Sequence, residues 1–148
     1  MLVREASKKD INQLARLFDL YRIYFKQGSD PEAVATFLQE RIERKESVIF
    51  VADDEGELAG FVQLYPLFSS VRLRKIWQLN DLYVLPEYRG KHISKQLIEA
   101  GKQLARETNA AGILLETEKS NEIGNHVYPA AGFESYSETN FYWWQKES

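Results

Sequence analysis

Two long segments, Leu58–Phe68 and Val71–Leu85, are rich in aromatic and β-branched residues and are separated by only two serines. Such residues favour extended strands, and a short polar break between two strands is typical of a hairpin. The apolar run Val48–Ala52 precedes them and indicates a further strand, while Pro86 ends the last one. The sequence therefore predicts a central β-meander that has to be covered by other elements.

Helical periodicity precedes this meander. Apolar residues recur at helical spacing in two N-terminal segments, namely Ile11, Leu14, Phe18, Tyr21 and Phe25, then Val34, Phe37, Leu38 and Ile42. Ser7 with Asp10 fits a capping box, and Asp30 before Pro31 fits a second helix start. Two amphipathic helices are expected here.

The remainder of the chain predicts a further mixture of helices and strands. Periodicity indicates a helix over Gly90–Thr108, a short strand over Gly112–Thr117 and a helix over Asn121–Ala131. Alternation over Gly132–Trp144 predicts two last strands. At 148 residues, with no repeat or linker, the expectation is one domain spanning 1–148.

Composition excludes several function classes. The formal net charge of -3 gives no general attraction to nucleic acid or to an anionic membrane. The absence of cysteine excludes disulfides, thiolate metal sites and a covalent acyl-cysteine route, and two histidines offer no metal cluster. No apolar stretch approaches the ~20 residues that span a bilayer, and the start is not a signal peptide, so we expect a cytoplasmic protein.

Basic residues cluster where the third helix should begin. Arg89, Lys91 and Lys95 lie there, although the positive end of a helix dipole favours acidic residues. A bound anion would relieve this conflict, and backbone N–H groups with basic side chains suit a pyrophosphate. The alternative is a solvated basic turn.

The segment LYVLPEYRGK at 82–91, between a strand and a helix, resembles the acetyl-CoA signature of the GCN5-related N-acetyltransferase (GNAT) superfamily. Asn121, Tyr128 and Gly132-Phe133 resemble that family's second conserved segment. The resemblance implies an α/β (α+β mixed) fold. Its sheet would be twisted, mixed and mostly antiparallel, with helices on both faces, and would splay open at the cofactor site after the strand ending near Leu85.

The resemblance also implies a binding site for acetyl-CoA. The pantetheine arm would pair with the backbone of Leu82, Tyr83 and Val84, and Asn121 would contact the cofactor arm. The pyrophosphate would meet the N–H groups of the turn formed by Arg89, Gly90, Lys91, His92, Ile93, Ser94 and Lys95. His92 and Ser94 replace the family's small residues, and we expect helical dihedral angles there, which do not require glycine. His92 either points away from the cofactor or adds charge to the phosphate site.

Acyl transfer to an amine requires a base, a stabilised oxyanion and an acid for the leaving thiolate. The resemblance makes Tyr128 the acid, the alternative being a packed tyrosine. Asp81 is the first candidate base, although a carboxylate satisfied by its neighbours is an equal alternative, and Glu116 on the following strand is the second. Tyr21 and Tyr24 are expected to line the acceptor pocket, with core packing as the alternative for Tyr21 on its apolar stripe.

The favoured function is transfer of an acetyl group from acetyl-CoA to a primary amine, by direct attack in a ternary complex. The acceptor would be a small amine, a polyamine or a lysine side chain, and no metal is needed. The alternative is a non-catalytic acyl-CoA-binding regulatory module. The aromatic run Phe141–Trp144 would cover the core or form part of a homodimer interface.

Overall fold

The computed structural model describes residues 1–148, which form two compact units, Met1–Glu116 and Thr117–Ser148. The first unit contains, in chain order, β1 (Leu2–Glu5), α1 (Ile11–Tyr24), α2 (Pro31–Glu43), β2 (Val48–Asp54), β3 (Glu57–Ser69), β4 (Arg74–Val84), α3 (Ile93–Glu107) and β5 (Ile113–Leu114). The second unit contains α4 (Glu122–Ala130).

The five strands form one sheet in the order β1-β2-β3-β4-β5. The first three pairings are antiparallel, and β4 with β5 is parallel. This confirms the prediction of a mixed, mostly antiparallel sheet built around a meander. The longest pairing joins β3 to β4, because each of these strands is rich in the aromatic and branched residues that pack well on a pleated surface.

Helices cover both faces of the sheet. The Phe18 ring of α1 stacks on Phe61 of β3, with ring centroids 4.6 Å apart. Gly101 of α3 lies beside Leu64, where an added Cβ would approach a Leu64 methyl group to 3.2 Å. Phe61 and Leu64 point to opposite faces because side chains alternate along a strand. The main core therefore lies between α1, α2 and the sheet, and α3 packs on the other side.

The predicted helix starts are confirmed in the first unit. The backbone N–H of Ser7 donates to Asp10 Oδ2 over 2.8 Å, completing a capping box at the short 3₁₀ turn before α1. Asp30 accepts a hydrogen bond from the N–H of Ala33, and Pro31 occupies the first position of α2. No helix of the protein is both long enough and apolar enough to cross a membrane.

Two strand predictions after α3 need correction. The predicted strand Gly112–Thr117 is reduced to Ile113–Leu114, and the two strands predicted over Gly132–Trp144 are absent. The final aromatic run is exposed, with Tyr142 at 90% and Trp143 at 85% of full accessibility. Alternating side chains provide a strand pattern, but a strand also needs a hydrogen-bonding partner, and this segment pairs with none.

Candidate active site

The edge of β4 is open along its C-terminal half. β5 pairs with β4 only at Trp77 and Gln78, so no strand covers that edge from Leu79 to Val84. The N–H of Leu85 donates to Ala59 on the β3 side, and hydrogen-bonded and non-hydrogen-bonded pairs alternate along an antiparallel ladder. The open edge is the splayed region that the sequence predicted near the end of this strand.

The ladder also determines which backbone groups face the open edge. Tyr83, opposite Phe61, directs its N–H and C=O toward β3. Leu82 and Val84 direct theirs away from β3. Of the three residues predicted to pair with a pantetheine arm, Leu82 and Val84 therefore present backbone polar groups, whereas Tyr83 contributes a side chain on the α1 face.

Arg89 anchors the turn after β4 to this edge. Its Nε donates to the carbonyl oxygen of Val84 over 3.1 Å, and its guanidinium lies 5.8 Å from the centre of the Tyr83 ring. The residue as a whole remains exposed. The guanidinium is thus held where the open edge ends and the turn begins.

The turn leading into α3 presents consecutive unpaired N–H groups. The N–H groups of residues 90–95 donate to no backbone acceptor, and no side chain caps α3. The first turn of α3 contains no acidic residue, while Lys91 and Lys95 are exposed. This combination of N–H groups, helix dipole and positive charge suits an anionic group such as a phosphate.

The backbone at His92 differs from the expectation of helical dihedral angles. His92 has φ 61° and ψ 22°, in the left-handed region, and α3 begins one residue later at Ile93. Ser94 lies inside the helix, where the expectation holds. Glycine adopts a positive φ without steric cost, so the family's small residue at position 92 has a conformational reason that the sequence alone did not reveal.

A β-bulge in β4 shapes the surroundings of Asp81. Gln63 is opposite Asp81, but Leu64 is opposite Leu79, so Asn80 is an extra residue with no partner in β3. Neighbouring side chains normally point to opposite faces of a strand. Here the Asn80 amide instead donates to both Asp81 oxygens, each over 3.1 Å. The bulge redirects one strand position toward the carboxylate.

Asp81 is a buried carboxylate without a cationic partner. It is 6% exposed, and none of the ion pairs in the structure includes it. Its hydrogen bonds come from neutral groups, including Gln63 Nε2, which donates to Oδ2 over 2.8 Å. Burial raises the pKa of Asp81 above its ordinary value, and hydrogen bonds from Gln63, Asn80 and Tyr21 partly oppose that rise. Such a group is suited to accept a proton or to bind a cation.

Aromatic side chains surround this carboxylate on the α1 face. The Tyr21 ring packs edge-on against Phe61 and Tyr83, and its hydroxyl lies 3.5 Å from the Asn80 carbonyl oxygen. Burial, followed by the nearby Asp81 charge, raises the pKa of Tyr65 to about 12. Tyr21 packs against the core, and its hydroxyl also hydrogen-bonds the Asp81 carboxylate.

Glu116, the second candidate base, does not lie on a strand. β5 ends at Leu114, and Glu116 is an exposed residue at the end of the first unit. Its carboxylate has no environment that would distinguish it from an ordinary surface glutamate. The prediction that Glu116 lies on the strand is wrong, because the strand is shorter than the apolar pattern indicated.

The second unit holds Asn121 and Tyr128. Asn121 caps α4 by accepting from the N–H of Gly124 over 3.1 Å, and its Nδ2 donates to Thr117 Oγ1 over 2.8 Å. The Tyr128 ring is half-buried and packs edge-on against Phe133, with centroids 5.9 Å apart. Asn121 thus shapes the start of α4. No group of three or more His, Asp or Glu side chains that could hold a metal ion occurs in the structure.

An open strand edge thus leads into a helix start with unpaired N–H groups, and a buried carboxylate lies on the same strand. The model of the Acetyltransferase (GNAT) family matches residues 14–133. The uncharacterized N-acetyltransferase YhfO of Bacillus subtilis (strain 168) is 40% identical over 134 residues, which are 90% of this chain and 90% of that protein. The chain belongs to the GNAT family of acetyltransferases, as the sequence predicted.

Solved structures agree with this classification. The crystal structure of a probable acetyltransferase superposes with a TM-score of 0.93 at 39% identity, covering 100% of this chain and 99% of that one. The aminoglycoside N-acetyltransferase AAC(6')-Iy, solved in complex with CoA, superposes with a TM-score of 0.84 at 21% identity, covering 99% of this chain and 95% of that one. At 21% identity, the similarity to AAC(6')-Iy shows a shared fold.

Proposed function

We propose that this acetyltransferase transfers the acetyl group of acetyl-CoA to a primary amine in a ternary complex. The observation that carries the proposal is the continuity of the open β4 edge, at Leu82 and Val84, with the unpaired N–H groups of residues 90–95. An extended amide-containing arm ending in a pyrophosphate matches both parts. The CoA complex of the aminoglycoside acetyltransferase, which has the same fold, supports this donor.

In this proposal, the backbone groups of Leu82 and Val84 orient the pantetheine arm. The turn at residues 89–95 binds the pyrophosphate through its N–H groups, with Arg89 and Lys91 adding positive charge. Asn121, as the cap of α4, contacts the cofactor arm. The whole chain then acts as one N-acetyltransferase domain, in which residues 14–133 carry the family match.

Asp81 accepts the proton that the ammonium form of the acceptor must lose before it can attack. The amine nitrogen then bonds to the acetyl carbonyl carbon and the carbon–sulfur bond breaks. Tyr128 donates a proton to the departing thiolate, and the positively charged nitrogen returns a proton to Tyr128. The products are an N-acetyl amide, CoA and one released proton. The raised pKa of Asp81 suits this role, since a base works best with a pKa near the working pH.

A small amine, a polyamine or a lysine side chain fits the acceptor role, because Asp81 is a buried negative charge among aromatic rings. Initial-rate kinetics with varied acetyl-CoA and amine concentrations test the ternary-complex mechanism. Intersecting double-reciprocal lines support direct attack, and parallel lines contradict it by indicating an acyl-enzyme. Calorimetry tests the donor site separately, and absence of acetyl-CoA binding at millimolar concentration contradicts the assignment.

A further inference from the structure

Gln63 is a fully buried amide in the middle of β3, at 0% exposure, directly opposite Asp81. A buried polar side chain in a central strand is costly unless both ends of its amide are satisfied. Both ends are satisfied here. Nε2 donates to Asp81 Oδ2 over 2.8 Å, and Oε1 accepts from Ser47 Oγ over 2.8 Å.

Ser47 satisfies the other end of the Gln63 amide. The Ser47 hydroxyl donates to Oε1, and this leaves Nε2 directed at Asp81. A rotated amide would place Oε1 against the carboxyl oxygen, an arrangement that only a protonated Asp81 could satisfy. In the observed orientation, Ser47 satisfies Oε1 and Nε2 hydrogen-bonds the carboxylate form of Asp81.

We propose that Ser47 and Gln63 are positioning residues that hold Asp81 as an oriented carboxylate. The inference rests on the proposed function for its catalytic meaning, because that function gives Asp81 the amine's proton. The hydrogen-bonded relay from Ser47 through Gln63 to Asp81 is present in the folded protein without substrate. It extends the site to Ser47, just before β2, and to Gln63 of β3, which contacts Asp81 of β4.

Few charged or titratable groups besides Asp81 face this relay. The phenols of Tyr21 on α1, Tyr65 on β3 and Tyr83 on β4 lie on the same face, and Arg41 of α2 acts on Tyr65. Burial raises the pKa of Tyr65 to about 12 and also raises the pKa of Tyr83. The Asp81 carboxyl is accordingly the group of this cluster that titrates in the acid range.

The test is a carboxyl ¹³C NMR titration of the full chain without ligand, with the Asp81 signal assigned by its absence in Asp81→Asn. Gln63→Met removes the donor while keeping the volume, and we expect the Asp81 midpoint to rise by about one pH unit. Ser47→Ala should raise it in the same direction, by less. Ser47→Thr retains the hydroxyl and should restore the wild-type midpoint.

Ser29→Ala is the matched control, because Ser29 Oγ donates to another buried aspartate, Asp19, over 2.7 Å. It should leave the Asp81 midpoint unchanged. A Gln63→Met midpoint equal to wild type, or a Ser47→Ala midpoint equal to that of Ser47→Thr, overturns the inference.

The acid limb of the kcat/KM profile separates the inference from the function on which it rests. If the inference and the proposed function both hold, the apparent pKa of the acid limb rises together with the NMR midpoint of Asp81 in Gln63→Met and in Ser47→Ala. Wild-type turnover in Asp81→Asn would remove the base role from the proposed function, and the NMR titration would still decide whether the relay orients the carboxylate.

Discussion

The Nε of Arg89 donates to the carbonyl oxygen of Val84 over 3.1 Å, so a residue of the turn is bound to the last residue of β4. Arg89→Glu replaces this donor with a negative charge beside the proposed pyrophosphate position. We expect acetyl-CoA affinity to fall at least about 10-fold, since a charge-assisted hydrogen bond contributes about 1.5–3 kcal/mol.

Arg72→Glu is the control for net charge, because Arg72 lies in the exposed turn between β3 and β4. Calorimetry should give Arg72→Glu a dissociation constant near that of wild type. Equal weakening in both variants would mean that acetyl-CoA senses only the overall charge.

Asp81→Asn should lower kcat by at least about 10²-fold with acetyl-CoA affinity unchanged, because the variant removes a proton acceptor and leaves the β4 edge intact. Steady-state rates with a saturating donor provide the measurement. A normal rate with an unchanged pH profile would remove Asp81 from the mechanism.

Asp81 should also make the free energy of unfolding depend on pH. Because burial raises the pKa of Asp81, the folded chain keeps a proton there after the unfolded chain has lost it, above about pH 3.8. The free energy of unfolding contributed by this group therefore falls as pH rises through the raised pKa, and Asp81→Asn should lack that fall. Asp10→Asn gives the opposite comparison, since hydrogen bonding to Arg4 lowers the pKa of Asp10 and stabilises the fold at higher pH. Urea unfolding at several pH values measures both slopes.

His92→Gly should stabilise the protein by up to about 1 kcal/mol, because glycine adopts the left-handed conformation at this position without steric strain. Glycine's greater conformational entropy in the unfolded state offsets part of this gain. Ser94→Gly is the control inside α3 and should destabilise by about 0.5 kcal/mol. Thermal unfolding of both variants decides the point, and a destabilised His92→Gly would show that the imidazole has a role of its own.

Tyr128→Phe keeps the ring that packs on Phe133 and deletes the hydroxyl. If the hydroxyl protonates the thiolate, kcat should fall roughly 10²-fold while the melting temperature stays near wild type. Tyr136→Phe, in the same unit, is the control for loss of a phenol hydroxyl. Wild-type kcat in a stable Tyr128→Phe protein contradicts the acid role.

The main elements of the first unit could be predicted because apolar periodicity over a long segment distinguishes a helix from a strand. α1, α2, α3 and the β3–β4 hairpin all follow the apolar spacing of the sequence. The strands predicted over Gly132–Trp144 failed because alternation specifies faces without specifying a partner edge. Glu116 was misplaced for a related reason, since the two-residue β5 is shorter than its apolar run.

The site was harder to predict where it depends on register. The bulge at Asn80 and the pairing of Gln63 with Asp81 follow from which residues of β3 and β4 lie opposite each other. No local pattern around Gln63 distinguishes it from a solvent-facing residue of a strand. The left-handed backbone at His92 had one signal in the sequence, the family's small residue at that position, and its conformational meaning became visible only with the dihedral angles.

Coupled detection of both products tests the central claim most directly. The protein is incubated with acetyl-CoA and a panel of primary amines, free thiol is followed with a chromogenic disulfide, and the amine is analysed by mass spectrometry. The chain has no cysteine, so it contributes no thiol background. The account predicts amine-dependent release of one CoA thiol for each acetylated amine, lost in Asp81→Asn. Acetyl-CoA binding without thiol release or acetylated product for any amine, including polyamines and lysine peptides, would contradict it.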